Sequence, residues 1–394
     1  MIISILGMSG KDRERVNKTT AYYDCDALGK VSGDYHNATD LLLKNYNDDF
    51  YFLGTSVAIK FQKELLDYDA EKVKFIEIKD NSLDDIFEKV FELISKARDN
   101  EKVLLDITHG FRHQPISAIF SATLHKFLSN SNLDIIFAKQ IKEFTSYEYI
   151  YLTEYVDMTQ LSLMLVGFIR TLNFVNSVEI ENLNTLAFEK FSRALLSNDF
   201  RALESSYKNL EITLEQAKKN KKFDHLKELF EQVEETLKEF KDFSNKEFYE
   251  KYMILANLMY DKNYYLLSLT YLFEAIRLYA SSSFYKNKII NNYAWNNFDM
   301  YGLNRDVMST MTQKEFGDGY RPNFYDRKFP TLYSNNLDKF EKVANEYKKL
   351  RELRNNLTHI NHKASQPNIK MDLRDLLKEI GDLINRDILK ELKK

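Results

Sequence analysis

Cysteine is almost absent from this chain of 394 residues: Cys25 stands alone. A single thiol excludes an intramolecular disulfide and a cysteine-ligated zinc cluster, and it fits a reducing compartment. Proline occurs only four times in a Lys-, Glu- and Leu-rich chain, which implies many helices and few irregular linkers. No apolar run approaches the roughly 20 residues that a membrane-spanning helix needs. The apolar part of "MIISILGMSGKDRER" is too short for a signal peptide. The expectation is a cytoplasmic protein without a membrane partner. Charge of one sign is lacking too. A net charge of -3 offers nucleic acid no global attraction, so any polyanion site must be local.

What is present reads as globular. Hydrophobic residues make up 44% and charged residues 29%, an ordinary balance for a soluble chain long enough for two or three domains. Residues 1–156 alternate between two textures. Short apolar runs read as strands: Ile2–Leu6, Phe50–Leu53, Val73–Ile78, Val103–Ile107, Leu133–Ala138 and Tyr149–Leu152. Amphipathic stretches of helical length lie between most of them: Asn37–Asn45, Val57–Leu66, Leu83–Ala97 and Ser117–Leu128. Strand–helix repetition predicts an α/β, Rossmann-like domain with a parallel sheet covered by helices. "TTAYYDCDALGKVSG" (Thr19–Gly33) is long for a connection and reads as a small hairpin over the sheet edge.

Beyond residue 156 the strand signals vanish and an all-α region is expected. Residues 157–245 read as a helical linker region whose many charges form a solvated face. The basic run Lys218–Lys222 sits among glutamates and gives little reason to expect nucleic acid there. A third region, 246–394, opens with a strong helix at Tyr264–Ala280. It passes through an aromatic, Asn-rich segment, Phe284–Ser334, and ends in helical stretches at Leu337–His359 and Met371–Lys393. The aromatic segment suits either a grip on single-stranded RNA or a packed surface insertion.

Ligands of open parallel sheets bind outside the carboxyl ends of the strands. Three such ends carry suitable chemistry: Gly7-Met8-Ser9-Gly10, Gly54-Thr55-Ser56 and Asp106-Ile107-Thr108-His109-Gly110. Glycine permits close backbone approach, hydroxyls and helix N-termini donate hydrogen bonds, and Arg112 can add a bidentate contact. That set suits phosphate. The G-M-S-G turn is not the dinucleotide fingerprint, and a P-loop lysine is missing. His109 and His113 have metal-like spacing, but Gly110 and Pro115 place the helix start near Pro115, so a shared face and a metal site are not expected. A purely structural role remains open for Asp106 and Thr108, which could satisfy backbone donors in a strand-to-helix turn.

Asp106-Ile107-Thr108-His109-Gly110 resembles the D-x-T-H-G signature of CRISPR-associated proteins of type III systems that carry a CARF domain, the CRISPR-associated Rossmann fold. The resemblance implies that cyclic oligoadenylate binds across a homodimer, between the loops after the first strand and the D-x-T-H-G strand. It makes Met8, Ser9, Gly10, Thr108, His109, Gly110 and Arg112 binding candidates; Thr55 and Ser56 are added from the sheet geometry alone. It also suggests cyclic tetraadenylate as the activator, with hexaadenylate as runner-up, and a functional link to a type III CRISPR complex through that second messenger.

A second motif lies in "LRELRNNLTHINH" (Leu350–His362). Arg354 and His359 make R-x4-H with Asn355 after the arginine, a pattern that resembles the HEPN ribonuclease motif. In the family just named, a C-terminal HEPN helical domain follows CARF, so the two motifs stand in the expected order. Arg354, Asn355 and His359 are therefore the catalytic candidates, with His362 as a rival acid/base. The chemistry is coherent without metal or other cofactor. RNA supplies its own 2′-hydroxyl nucleophile, histidine moves protons near neutrality, and arginine neutralises the phosphorane. Residues five apart on a helix lie about 140° apart, so Arg354 and His359 do not share a face, whereas Asn355 and His359 do. The resemblance resolves this partly by dimerisation. Glu274, in an apolar helix, is expected to pair with Arg277 or with the Arg354 region.

Together these readings predict a cyclic-oligoadenylate-activated, metal-independent endoribonuclease that cuts single-stranded RNA in type III CRISPR defence. One alternative is a nucleotide-sensing regulator or binding protein without nuclease activity. Another is a CARF pocket that also cleaves its own ligand, with Thr108, Ser9 or His109 positioning the attack.

Overall fold

The computed structural model describes residues 1–12, 14–79, 82–97, 101–129, 132–174, 180–297, 299–312, 333–358 and 368–393. The N-terminal region contains β1 (Ile2–Ile5), β2 (Ala21–Asp24), β3 (Gly33–Tyr35), α1 (Ala38–Asn45), β4 (Phe50–Gly54), α2 (Ser56–Leu65), β5 (Val73–Glu77), α3 (Leu83–Ser95), β6 (Val103–Asp106), α4 (His113–Leu128), β7 (Leu133–Lys142), β8 (Ser146–Tyr151) and α5 (Thr153–Thr171). The eight strands form one sheet in the order β3-β2-β8-β7-β6-β1-β4-β5.

β1, β4, β5, β6 and β7 pair in parallel, as the strand–helix alternation predicts. The expectation of a purely parallel sheet is corrected at one side. β7 turns back into β8 as an antiparallel hairpin, and β2–β3 is a second antiparallel hairpin whose β2 joins β8. That second hairpin extends the sheet rather than lying over its edge. The N-terminal fold is thus a mixed α/β sheet, followed by a largely helical C-terminal region.

Strand alternation sorts the core into two layers. Met1, Ile3, Ile5, Val103, Leu105 and Ile107 face α3 and α4, where Ile86, Val90, Leu93, Ile94, Ala118 and Ala122 wait at helical spacing. Ile2, Leu6 and Leu104 face the other way, onto Ala38, Leu41 and Leu42 of α1. Helices on both faces make the sheet doubly wound. The direction of winding reverses between β1 and β6, because β4 lies on one side of β1 and β6 on the other. This reversal is the topological switch point, where ligands of such sheets bind.

Contacts divide the chain into two compact units: Met1–Phe168, Asn173–Leu196 and Asn209–Glu231 in the first, and Ile169–Leu172, Ser197–Lys208 and Gln232–Lys394 in the second. The helices after α5 are α6 (Thr185–Leu196), α7 (Phe200–Lys219), α8 (Lys227–Thr236), α9 (Phe248–Asp261), α10 (Tyr265–Lys286), α11 (Asn292–Asn297), α12 (Met300–Thr312), α13 (Leu337–Thr358) and α14 (Ile369–Asn385). α10 is the axis of the second unit, packed by α9, α12, α13 and α14. Its buried face runs from Ser268 to Phe284 with few gaps, which is the mark of a helix enclosed on most sides. Phe284 meets Phe340 while Phe273 meets Tyr347, so α10 and α13 run antiparallel. The C-terminal residues are pinned to this axis: Tyr279 Oη donates to Asp387, and Asn287 holds Leu389 and Leu392. Among the described residues no helix is long and apolar enough to cross a membrane.

Candidate functional site

Ser4 is a polar residue inside the apolar strand Ile2–Ile5. The parallel register sets it opposite Asp106, and both are fully buried. Ser4 Oγ donates to Asp106 Oδ2 at 2.7 Å, and Thr108 donates to Asp106 Oδ1 through its N–H and its hydroxyl. Thr108 Oγ1 in turn accepts the N–H of Ala138 at 2.9 Å. The ends of β1 and β6 and the middle of β7 are thereby sewn together behind the loop. Burial raises the Asp106 carboxyl above its ordinary pKa, against hydrogen bonds from Thr108 and Ser4 that lower it. The structural reading of Asp106 and of the Thr108 hydroxyl therefore accounts for every one of these contacts.

His109 sits at the centre of the switch point. Its Nε2 accepts the backbone N–H of Ala38 at 3.3 Å and lies 3.3 Å from Ser9 Oγ. An N–H can only donate, so Nε2 is the unprotonated nitrogen and the ring is neutral. The residue keeps some exposure, but its side chain packs on Gly7, where an added Cβ would lie 3.0 Å from His109 Cβ. Burial pushes the imidazole from 6.5 down to about 4. The unfolded chain takes up this proton near 6.5 and the folded one only near 4. Stability is therefore complete above the upper value and is lost as pH falls through that window, by about 3 kcal/mol at its lower end. An NMR titration should give His109 a midpoint near 4; a midpoint near the ordinary value would contradict this packing.

The loop after β1 is held by residues far along the chain. Gln62 Nε2 donates to the Gly7 carbonyl at 2.6 Å, and Asn37 Nδ2 donates to the Ser9 carbonyl at 2.9 Å. The same Asn37 amide reaches Gln62 Oε1, while its Oδ1 caps α1 by accepting from Asp40 N–H. Met8 is half-buried against both neighbouring apolar clusters, and Gly10 is buried. On the other side of the switch point, Gly110 adopts φ +100°, where a side chain would also strike Ile5 and Gln114. Gln114 Oε1 accepts the Phe111 N–H at 3.0 Å, closing the turn into α4.

The remaining candidates separate. Thr55 is buried and caps α2 through Ala58 N–H, whereas Ser56 is exposed beside it. Arg112 is exposed at the N-cap position of α4. α4 starts at His113, two residues before the expected Pro115, because Arg112 already has helical dihedrals. His113 stacks on Phe111 with ring centres 6.2 Å apart, and no group of metal-ligating side chains occurs among the described residues.

In the second unit, α13 is regular helix through Thr358. Arg354 turns inward, its guanidinium carbon 4.7 Å from the Phe273 ring centre, while Asn355 is exposed. His359 and His362 lie outside the described residues. Glu274 accepts from Arg277 Nη1 at 2.9 and 3.2 Å, and Arg277 also packs on Phe273 at 5.2 Å. Tyr347 stacks on that ring. Burial raises its phenol, while Arg277, Arg351 and Arg354 pull it down. Arg277 and Arg354 therefore share the Phe273 ring, and Glu274 ion-pairs with the first of them.

No family model and no curated protein matches the chain. Among solved structures it is similar to Csm6 from Enterococcus italicus bound to cyclic hexa-2'-fluoro-hexa-dAMP. That match covers 100% of this chain and 95% of the other, at 12% identity and a TM-score of 0.43.

Sequence reasoning missed Ser4, Asn37, Gln62 and Gln114 at the first site and Phe273 and Tyr347 at the second, whereas Arg277 was expected as the partner of Glu274. A signal existed for Gln62. It shares the buried stripe of α2 with Ala58, Phe61 and Leu65, and an amide at a core position must find partners.

Proposed function

We propose that this chain is a homodimeric ribonuclease, switched on by cyclic oligoadenylate from a type III CRISPR complex, that cuts single-stranded RNA. The observation that carries the reading is the place of the D-I-T-H-G loop. It forms the switch point together with the loop after β1, and it runs directly into a helix N-terminus bearing Arg112. Ser9, the exposed Gly110 turn and Arg112 suit a phosphate-bearing ligand.

Cleavage belongs to Arg354, Asn355 and His359. The 2′-hydroxyl attacks the adjacent phosphorus and loses its proton, the 5′-oxygen leaves with one, and a 2′,3′-cyclic phosphate and a 5′-hydroxyl remain. His359 carries the proton work, Arg354 holds the phosphorane, and Asn355 orients the imidazole. Ligand binding must favour one dimer state for activity to follow it.

An RNase assay with and without cyclic tetra- and hexaadenylate, in EDTA, tests this directly. Cleavage that depends on one ring, with cyclic phosphate ends, is the expected result; no cleavage with either ring sinks the proposal and leaves a nucleotide-sensing regulator. The recovered ring, intact or opened, reads the ligand-cleaving alternative in the same tube. Arg112→Ala should raise the half-activating concentration about 10- to 100-fold, the cost of one charge-assisted phosphate contact, with the maximal rate unchanged.

A second copy has a place to bind. α4 exposes Ile116, Phe120, Leu124 and Leu128 at i, i+4 spacing, and its one formally charged side chain, Lys126, is engaged by Asp157. An exposed helix with an apolar row and so little charge suits an isologous contact between copies.

A further inference from the structure

Contacts in the second unit continue outward from Arg354. Its guanidinium lies over the Phe273 ring, Arg277 lies over the same ring, and Arg277 also lies 4.8 Å from the ring centre of Tyr301. Cations and rings alternate: Arg354, Phe273, Arg277, Tyr301. Phe273 and Arg277 are buried, at 7% and 2% exposure, whereas Tyr301 is 64% exposed.

Tyr301 is also fixed in place. Arg277 Nη2 donates to its carbonyl at 3.0 Å, while Arg277 Nη1 is tied to Glu274. Asp299 accepts the N–H groups of Tyr301 and Gly302 and so anchors the first turn of α12. A rigid exposed ring loses little freedom on binding a ligand. Single-stranded RNA alternates phosphates with bases, and this row alternates guanidiniums with rings.

We propose that Tyr301 is a base-stacking platform for the RNA strand whose phosphate is held at Arg354; this deepens the ribonuclease reading and rests on it. Stacking accepts any base, so the platform adds affinity rather than sequence readout. Only Tyr301 in the row has the exposure to meet a base, and Arg277 is its support.

The test uses the full chain with a fluorogenic RNA strand and cyclic tetra- or hexaadenylate as activator. Tyr301→Ala should raise KM about 5- to 100-fold, the range of one stacked base, with kcat unchanged. Tyr301→Trp should keep the wild-type KM, whereas Tyr301→Leu, which covers Arg277 without a π-face to stack on, should behave like alanine. An unchanged KM in the alanine variant, or a tryptophan variant no better than alanine, overturns the proposal. A 2′-O-methyl strand, which cannot be attacked, separates the two readings through anisotropy. If wild type cuts nothing with either ring yet Tyr301→Ala weakens binding of this strand, the nuclease reading fails and the platform stands. Equal binding by wild type and variant overturns the platform whatever the cleavage assay gives.

Discussion

Arg354→Ala should lower RNA cleavage about 100- to 1,000-fold, the usual cost of removing one preorganised charge from a transition state. Cyclic oligoadenylate affinity, measured by calorimetry, should not change, because the loops proposed to hold that ligand belong to the other compact unit. Arg354→Lys separates charge from packing. It keeps a cation near Phe273 but loses the planar fork that matches phosphate, so it should recover little activity. A lysine variant with full activity would reduce Arg354 to a generic positive charge. His359→Ala should cost about 100- to 10,000-fold, the range of lost proton transfer, and should flatten the pH–rate profile near neutrality. Activity surviving both alanine variants would move the cutting centre elsewhere, with His362 the first residue to examine.

Local signals carried the first unit a long way. Apolar runs such as Val103–Ile107 name their own strands, and the glycines of D-I-T-H-G and G-M-S-G mark the loops that meet at the switch point. What stayed hidden is what acts at long range. Ser4 meets Asp106 only because β1 and β6 are neighbours in register, and Asn37 reaches Gln62 only once α1 and α2 cover one face of the sheet. The hairpin of β2 and β3 could be read from its turn residues, but its parallel pairing with β8 depends on where β7 ends. Periodicity also says nothing about specific ring contacts. In α10, Phe273 and Arg277 look like one apolar and one polar position, yet they form the row that leads from Arg354 to Tyr301.

Phe120→Asp should convert the protein from dimer to monomer at micromolar concentration in sedimentation velocity. Phe120 is 65% exposed, near the middle of the row formed by Ile116, Leu124 and Leu128. Removing it takes no side chain from the core, so folding should survive, and an unchanged circular dichroism melt is the control. α4 has 16 residues, about 24 Å of helix, long enough to pack antiparallel against its own copy about a two-fold axis. In such a contact each substitution appears twice. Two carboxylates then lose water against apolar rows or face each other, at a cost of several kcal/mol, on the order of a thousandfold in dimer affinity. The row begins immediately after the loop that bears His109 and Arg112, so a ligand bound across the dimer loses one wall when the copies part. Phe120→Asp should therefore weaken both cyclic oligoadenylate binding and RNA cleavage, whereas Arg354→Ala spares the first. A variant that sediments as a dimer would place the contact on another face, and a wild-type chain that is monomeric with and without the cyclic ligand would remove the dimer from the mechanism.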